Sequence, residues 1–152
     1  MYDHRHWMKI ALKEAKKSEK KNEVPVGAVI IKNNILIAKG HNSCIGDKDP
    51  TAHAEIVALR KAGSFLNNYR LNSCDIYVTS ETCVMCFGAI VQARIKKIYF
   101  ATLQHKSGVL ISHLRLHNES FLNHKVEISF GVLEEEARYQ IKNFFRNKRI
   151  YT

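Results

Sequence analysis

One histidine and two cysteines constrain this chain more than any other feature. His53 is followed two positions later by Glu55, and Cys83 is followed three positions later by Cys86. Imidazole and thiol groups together suit zinc better than magnesium or calcium. Three protein ligands leave the fourth position of zinc to water, which is typical of a catalytic site. The fold must therefore bring the two segments together, and Glu55 would be free to move the protons of that water.

Length and composition indicate one globular domain over residues 1–152. Hydrophobic residues make up 45% of the chain, which disfavours the disordered and membrane classes. No segment supplies the roughly 18 consecutive apolar residues of a spanning helix, and the N-terminus lacks the apolar region of a signal peptide. We therefore expect a cytoplasmic protein whose four cysteines stay reduced and available to a metal ion.

The charge of the chain is strongly basic. Its 24 lysines and arginines outnumber 14 acidic residues, which gives a formal net charge of +10. A basic excess of this size favours a polyanionic partner such as nucleic acid. Many basic proteins carry only solvated lysines, so charge alone leaves both interpretations open.

Hydrophobic periodicity predicts an α/β fold, with helices on both faces of a sheet. Asn33 and Asn34 separate two apolar runs and predict a hairpin turn. Residues 102–125 are polar and irregular. We expect helices at 5–19, 50–63, 83–93 and 133–149, a short helix near 111–116, and strands at 24–31, 35–38, 75–79, 97–101 and 126–130.

Capping signals place the candidate histidine at the start of a helix. Asp49 is the predicted N-cap, Pro50 occupies the first helical position, and Gly63 is the predicted stop. His53 and Glu55 would then lie in the opening turn. There they can flank a pocket beyond the helix end, although residues two apart point to different sides in mid-helix.

The cysteines fall at the start of the next helix. Ser80 or Thr82 is the predicted cap, so Cys83 and Cys86 would share one face of the first turn. A helix N-terminus carries partial positive charge, which favours the thiolate form that a metal needs. Two helices would thus direct their positive ends at one ion.

The chemistry that uses all these groups is hydrolytic deamination. A zinc-bound water ionises near neutral pH and can attack an sp² carbon that bears an amino leaving group. Glu55 would take the proton of this water, pass it to the ring nitrogen, and later deliver one to departing ammonia.

Two segments, His53-Ala54-Glu55 and Cys83-Val84-Met85-Cys86, are similar to the zinc-deaminase signature, His-x-Glu with Pro-Cys-x-x-Cys. This signature belongs to the zinc-dependent cytidine and deoxycytidylate deaminase superfamily. Longer blocks resemble the bacterial tRNA-specific adenosine deaminases, and these are 23–29, 49–55, 68–71, 123–128 and 144–146. The resemblance runs over nearly the whole chain.

This resemblance implies conversion of the wobble adenosine of a tRNA anticodon to inosine, by a cytoplasmic homodimer with one zinc ion per subunit. It implies a three-layer α/β/α sandwich around a five-stranded mixed sheet, the cytidine-deaminase-like fold. Zinc would bind to His53, Cys83 and Cys86, and Glu55 would be catalytic. The residues implied to contact the substrate are Asn42, which would hydrogen-bond the target base, Val26, Ala54, Gln104, Phe145 and Arg146.

The chain departs from the family pattern at two positions. Thr82 stands where proline usually precedes the first cysteine; because threonine can cap the helix, we expect metal binding to survive. Gln104 stands where an aspartate approaches the ribose near the target. We expect the loss of this carboxylate to relax the preference for RNA over DNA, which matched ribose and deoxyribose hairpins would test.

Two other functions remain open at this stage. A deaminase of a free base or nucleoside, of the guanine or cytosine type, would turn over a small molecule with little salt dependence. A zinc-stabilised RNA-binding module without catalysis would close its site with a fourth protein ligand, and Glu55→Gln would then change only stability.

Overall fold

The computed structural model describes residues 1–151, with side chains through Lys148. Its helices and strands are α1 His4–Lys20, β1 Gly27–Lys32, β2 Ile35–His41, α2 Cys44–Asp47, α3 Ala54–Leu66, β3 Cys74–Ser80, α4 Val84–Gln92, β4 Lys97–Thr102, a 3-10 helix Leu116–Asn118, β5 Glu127–Phe130 and α5 Glu134–Tyr151. No helix of the described chain is both long and apolar enough to cross a lipid bilayer.

Five strands form one mixed sheet in the order β2-β1-β3-β4-β5. β1 is antiparallel to β2 and β3, whereas β3, β4 and β5 are parallel. Neighbouring side chains of a strand point to opposite faces, so Ile76 joins a core with α3 and α4 while Tyr77 joins a core with α1 and α5. The structure confirms the predicted three-layer α/β/α sandwich.

The predicted hairpin between β1 and β2 is also confirmed. Asn33 and Asn34 both have positive φ, 50° and 60°, as a two-residue type I′ turn requires. The paired strands are shifted from their predicted bounds. β1 begins at Gly27 and β2 continues to His41, because these two residues pair with each other at the end of the ladder.

Two glycines let helices approach the hairpin closely from both faces. A Cβ atom on Gly27 would lie 1.9 Å from the carbonyl oxygen of Ala11 in α1. A Cβ atom on Gly40 would lie 2.5 Å from the carbonyl oxygen of Ala54 in α3. Since Ala54 directly follows His53, the second contact also fixes the position of the candidate metal ligand.

Both predicted ends of α3 are wrong. The N-cap of α3 is His53. Asp49 instead accepts hydrogen bonds from the amide and hydroxyl of Thr51, a local turn that competes with helix initiation. At the other end, the left-handed residue is Asn67, with φ of 52°, and Gly63 lies inside the helix. Asparagine is the residue that most often replaces glycine at such an end.

The short helix predicted near 111–116 is wrong as well. The amide of Leu116 donates to the carbonyl of Val109 at 2.9 Å, whereas an α-helix would pair it with the carbonyl of Ser112, four residues earlier. The chain forms turns there, and a 3-10 helix follows at Leu116–Asn118.

Candidate metal centre and active site

The imidazole of His53 meets the thiols of Cys83 and Cys86. Nδ1 of His53 lies 3.6 Å from Sγ of Cys83 and 3.5 Å from Sγ of Cys86. The three candidate ligand atoms all lie within 4.8 Å of one another. Within the described part of the chain, this is the one group of histidine, cysteine or acidic side chains spaced to hold a metal ion. The structure thus brings together the three residues that the sequence singled out.

These distances suit a tetrahedral ion with nitrogen and sulfur ligands. Zinc bonds of roughly 2.0–2.1 Å to nitrogen and 2.3 Å to sulfur, at the tetrahedral angle, separate the two ligand atoms by about 3.6 Å. The observed separations of 3.6 and 3.5 Å match this value. Calcium and magnesium take oxygen ligands, so the donor set disfavours both.

The two thiols differ in acidity. Their mutual hydrogen bond lowers the pKa of Cys83 to about 4. The same bond, together with burial, raises the pKa of Cys86 well above its usual range. The pair therefore carries one negative charge readily and a second one only beside a cation. Metal binding at this pair would release a proton.

The cluster lies at the starts of α3 and α4. His53 is the N-cap of α3 and Cys83 is the N-cap of α4. Cys86 is fully buried in the first turn of α4. The predicted capping of α4 by Ser80 or Thr82 is therefore wrong. The positive ends of both helices still favour thiolates at this point, as expected.

Glu55 is the buried acid beside the cluster. Its side chain is 4% exposed, and burial raises its pKa to about 7. The carboxyl group contacts the thiol of Cys86 without belonging to the group of candidate ligands. A carboxyl group that is not a ligand and changes protonation near neutral pH can act as general base and then as general acid.

Comparison with known proteins identifies the family. A model of the MafB19-like deaminases matches residues 2–149. Over 144 residues, the chain is 43% identical to a tRNA-specific adenosine deaminase of Aquifex aeolicus, with 95% of each protein covered. The chain belongs to the family of tRNA-specific adenosine deaminases.

Solved structures give the same result for the fold. One chain, from a study of A-to-I editing by tRNA:A34 deaminases at the wobble position of transfer RNA, superposes with a TM-score of 0.86 at 36% identity, over 89% of this chain and 98% of the other. Guanine deaminase from Bacillus subtilis superposes with a TM-score of 0.64 at 39% identity, over 67% of this chain and 66% of the other. The more complete superposition is with the tRNA deaminase.

Three of the residues implied to contact substrate form one connected unit. Oδ1 of Asn42 accepts a hydrogen bond of 2.8 Å from the amide of Ala54. The amide of Asn42 donates to the carbonyl of Val26 at 3.1 Å. Because Oδ1 is used by the helix, the NH₂ group is the part of the Asn42 side chain that can donate to a ligand. The unit adjoins the cluster through Ala54, which follows His53 in the chain.

Gln104 lies in the loop that follows β4. Its backbone amide donates to Glu81 at 3.1 Å, and its side-chain oxygen accepts from the amide of Lys106 at 3.1 Å. The side chain is thus oriented by its own loop. Its contact with ribose, and the relaxed preference for RNA over DNA, stay predictions.

The aromatic pair of α5 divides between core and surface. Phe144 is 5% exposed and Phe145 is 38% exposed, so one ring packs inside and the other reaches solvent. Arg146 is exposed. Binding of RNA by Phe145 and Arg146 stays a prediction.

Sequence analysis missed the part played by two buried acids. Glu81, which follows β3, accepts five hydrogen bonds from the loop after β4. Glu23 accepts from the amides of Ile45 and Gly46 and so holds α2. The available signal was an acid at the end of an apolar strand, but its partners lie too far along the chain to be found from spacing.

Proposed function

We propose that this chain deaminates the wobble adenosine of a tRNA anticodon to inosine by hydrolysis. The observation that carries the proposal is the buried Glu55 beside the cluster of His53, Cys83 and Cys86, in a chain 43% identical to a tRNA-specific adenosine deaminase over 95% of both proteins. Residues 1–152 act as one deaminase domain in this proposal.

One zinc ion per subunit would be held by His53, Cys83 and Cys86. The donor set and the nitrogen–sulfur separations of 3.6 and 3.5 Å support this choice of metal. When bound there, zinc supplies the Lewis acidity that makes a water molecule acidic enough to attack carbon at neutral pH.

Glu55 carries the protons of the reaction. Its carboxylate accepts a proton from the attacking water as the bond from oxygen to C6 of adenine forms. It then protonates N1 of the ring, takes the second proton of the former water from the hydroxyl group now on C6, and delivers this proton to the exocyclic nitrogen. The C6–N6 bond breaks, ammonia leaves, and inosine remains. The burial of Glu55 and its position outside the ligand group support this role.

Asn42 holds the base in place. Its Oδ1 is fixed by the amide of Ala54, so its NH₂ group donates to an acceptor on the purine. Val26 and Ala54 complete the wall of the pocket beside it. An adenine must leave its stack to reach this position, and the single-stranded anticodon loop makes this step inexpensive.

The rest of the tRNA meets a basic surface. The formal net charge of +10 suits a polyanion, and binding to it releases counterions. The exposed ring of Phe145 can stack on an unpaired base, and Arg146 can pair with a phosphate. A tRNA substrate implies that the protein works in the cytoplasm.

A homodimer fits the surface between α3 and α4. A groove of about 850 Å³ lies there, lined in part by Ile56, Leu59 and Tyr69. Apolar side chains line this groove, and Tyr69 among them is 73% exposed. A second copy of the chain would cover them. Sedimentation equilibrium tests this directly, since a mass near 17.5 kDa at micromolar concentration would contradict the dimer.

A comparison of four candidate substrates tests the proposed function. The zinc-loaded protein is given an anticodon stem-loop with adenosine at the wobble position, a control hairpin with that adenosine moved by one position, free adenosine, and guanine. We expect inosine in the first hairpin alone. Efficient turnover of guanine would instead favour a free-base deaminase. Tight hairpin binding without any inosine would favour the non-catalytic RNA-binding module.

A further inference from the structure

The carboxylate of Glu81 organises the loop at 104–112. It is buried, at 4% exposure, and both of its oxygens accept hydrogen bonds from this loop. Oε1 accepts from the amide of Gln104 at 3.1 Å and from the hydroxyl of Ser112. Oε2 accepts from the amides of Leu110 at 3.0 Å, Ile111 at 2.7 Å and Ser112 at 2.9 Å.

The same loop packs against the strand end that leads to Cys83. A Cβ atom on Gly108 would lie 2.2 Å from the carboxyl carbon of Glu81, so only glycine lets the loop come this close. The amide of Val109 donates to the carbonyl of Thr82 at 3.1 Å. The base of the loop is therefore tied to Glu81 and Thr82, the two residues that precede Cys83.

A buried carboxylate restricts the conformation of the loop whose amides and hydroxyl group donate hydrogen bonds to it. Removing this charge from water costs several kcal/mol unless hydrogen bonds replace the solvent, and all five donors come from one loop. The loop tip at 104–107 is by contrast polar, and its residues 105–107 are exposed. It carries Lys106 and His105, which suit phosphate, and Gln104, which suits a ribose hydroxyl. A rigid base thus presents an exposed polar tip, on a loop that is tied to the two residues preceding Cys83.

We propose that Glu81 is a positioning residue for RNA recognition, which fixes the loop at 104–112 so that its tip contacts the strand beside the target nucleotide. This inference rests on the proposed function. Loosening the loop should weaken recognition of the RNA more than it slows the reaction of bound RNA. KM for the stem-loop should rise, while kcat and zinc content change little.

A matched pair of serine variants tests this. Ser112→Ala removes one hydrogen bond to Glu81, whereas Ser120→Ala makes the same change at an exposed position outside this loop. We expect Ser112→Ala to raise KM for the stem-loop about tenfold, with kcat within about twofold of wild type. Ser120→Ala should leave both constants near wild type. Equal KM values for the two variants would overturn the inference.

A double-mutant cycle separates positioning from general destabilisation. Gly108→Ala inserts a methyl group against the carboxylate, and Glu81→Asp withdraws the carboxylate by one methylene. Each change alone should raise KM, and the combination should raise it less than the product of the two effects, because the methyl group then occupies the vacated space. Effects that simply multiply, or zinc loss in proportion to the rise in KM, would contradict positioning.

Amide hydrogen exchange at 104 and 110–112 gives a readout independent of turnover. Exchange should quicken in Ser112→Ala and stay unchanged in Ser120→Ala. Quicker exchange with an unchanged KM would overturn the inference and leave the deaminase function intact. If the wild-type protein deaminates no hairpin, the proposed function fails, and hairpin affinity replaces KM in the comparison. Equal affinity of wild type and Ser112→Ala would then overturn this inference too.

Discussion

At the scale of single residues, Asn42 has one observed role, accepting the amide of Ala54 at the start of α3, and one proposed role, binding the base; substitution can separate the two. Asn42→Ala removes the acceptor for the amide of Ala54 and should cost about 1 kcal/mol of unfolding free energy, as lost helix caps do. Asn42→Asp keeps this acceptor but lacks the NH₂ group. We therefore expect near-normal stability of Asn42→Asp in urea unfolding, with kcat/KM lowered about 100-fold.

The comparison of the two variants decides whether Asn42 binds the base. If Asn42→Asp keeps wild-type kcat/KM on the stem-loop, the side chain acts only as a helix cap. If Asn42→Ala is as stable as wild type, the hydrogen bond to Ala54 adds nothing to the fold.

Thr82 carries a buried hydroxyl whose replacement should help stability. Its side chain is fully buried and Oγ1 has no hydrogen-bond partner among the described residues. Because an unsatisfied buried hydroxyl costs about 1–3 kcal/mol, Thr82→Val should raise the unfolding free energy of the zinc-loaded protein by about 1 kcal/mol.

Thr79 provides the control for Thr82. It is equally buried, but its hydroxyl accepts a hydrogen bond from the amide of Gly27 at 3.2 Å. Thr79→Val should therefore lower the unfolding free energy by about 1 kcal/mol, since it leaves a buried donor unpaired. Stability changes of the same sign in both variants would contradict this account of Thr82.

At the scale of helices and strands, two glycines of α3 and β2 should respond oppositely to alanine. Gly40→Ala would place a methyl group 2.5 Å from the backbone of α3 and should cost about 3 kcal/mol, as overpacking does. Gly63 lies inside α3 with no contact below 3.5 Å for an added Cβ. Gly63→Ala should stabilise by up to about 1 kcal/mol through helix propensity.

Thermal unfolding measures both effects. A destabilised Gly63→Ala would support the rejected interpretation of Gly63 as a left-handed helix end. A harmless Gly40→Ala would mean that α3 can move away from the sheet, and that the position of His53 does not depend on this contact.

Local signals predicted the regular elements well. The hairpin was recognisable because Asn33 and Asn34 tolerate positive φ, and α1 and α5 because their apolar residues recur at helical spacing. The start of α3 was misplaced because Asp49 and Pro50 have the chemistry of a helix start while forming a turn. Distinguishing the two requires knowing that Asn42 caps α3 from another segment.

The candidate metal site could be predicted because its chemistry depends on residue type and short spacing, as with His53 and Glu55 or Cys83 and Cys86. The conformation of the loop after β4 could not be predicted in this way. Its conformation is set by Glu81, which lies 29 and 31 positions before Leu110 and Ser112. Neither partner differs locally from an ordinary loop residue, so only tertiary structure reveals the contact.

At the scale of the whole molecule, the net charge of +10 should make RNA binding strongly salt-dependent. With about five phosphates contacted, affinity for an anticodon stem-loop should fall roughly 100-fold between 50 and 200 mM salt. Fluorescence anisotropy over a salt series measures the slope. A nearly flat slope would mean that the basic surface does not meet the backbone, and would favour a small-molecule substrate.

The most direct test of the central claim compares wild type with Glu55→Gln, measuring zinc per chain and inosine formed in the stem-loop. Glutamine keeps the size of the side chain and removes its proton transfer. We predict one zinc per chain in both proteins, and inosine formation slowed about 1,000-fold in the variant. A Glu55→Gln protein as active as wild type, or a wild-type protein fully active after its zinc is removed, would contradict the account.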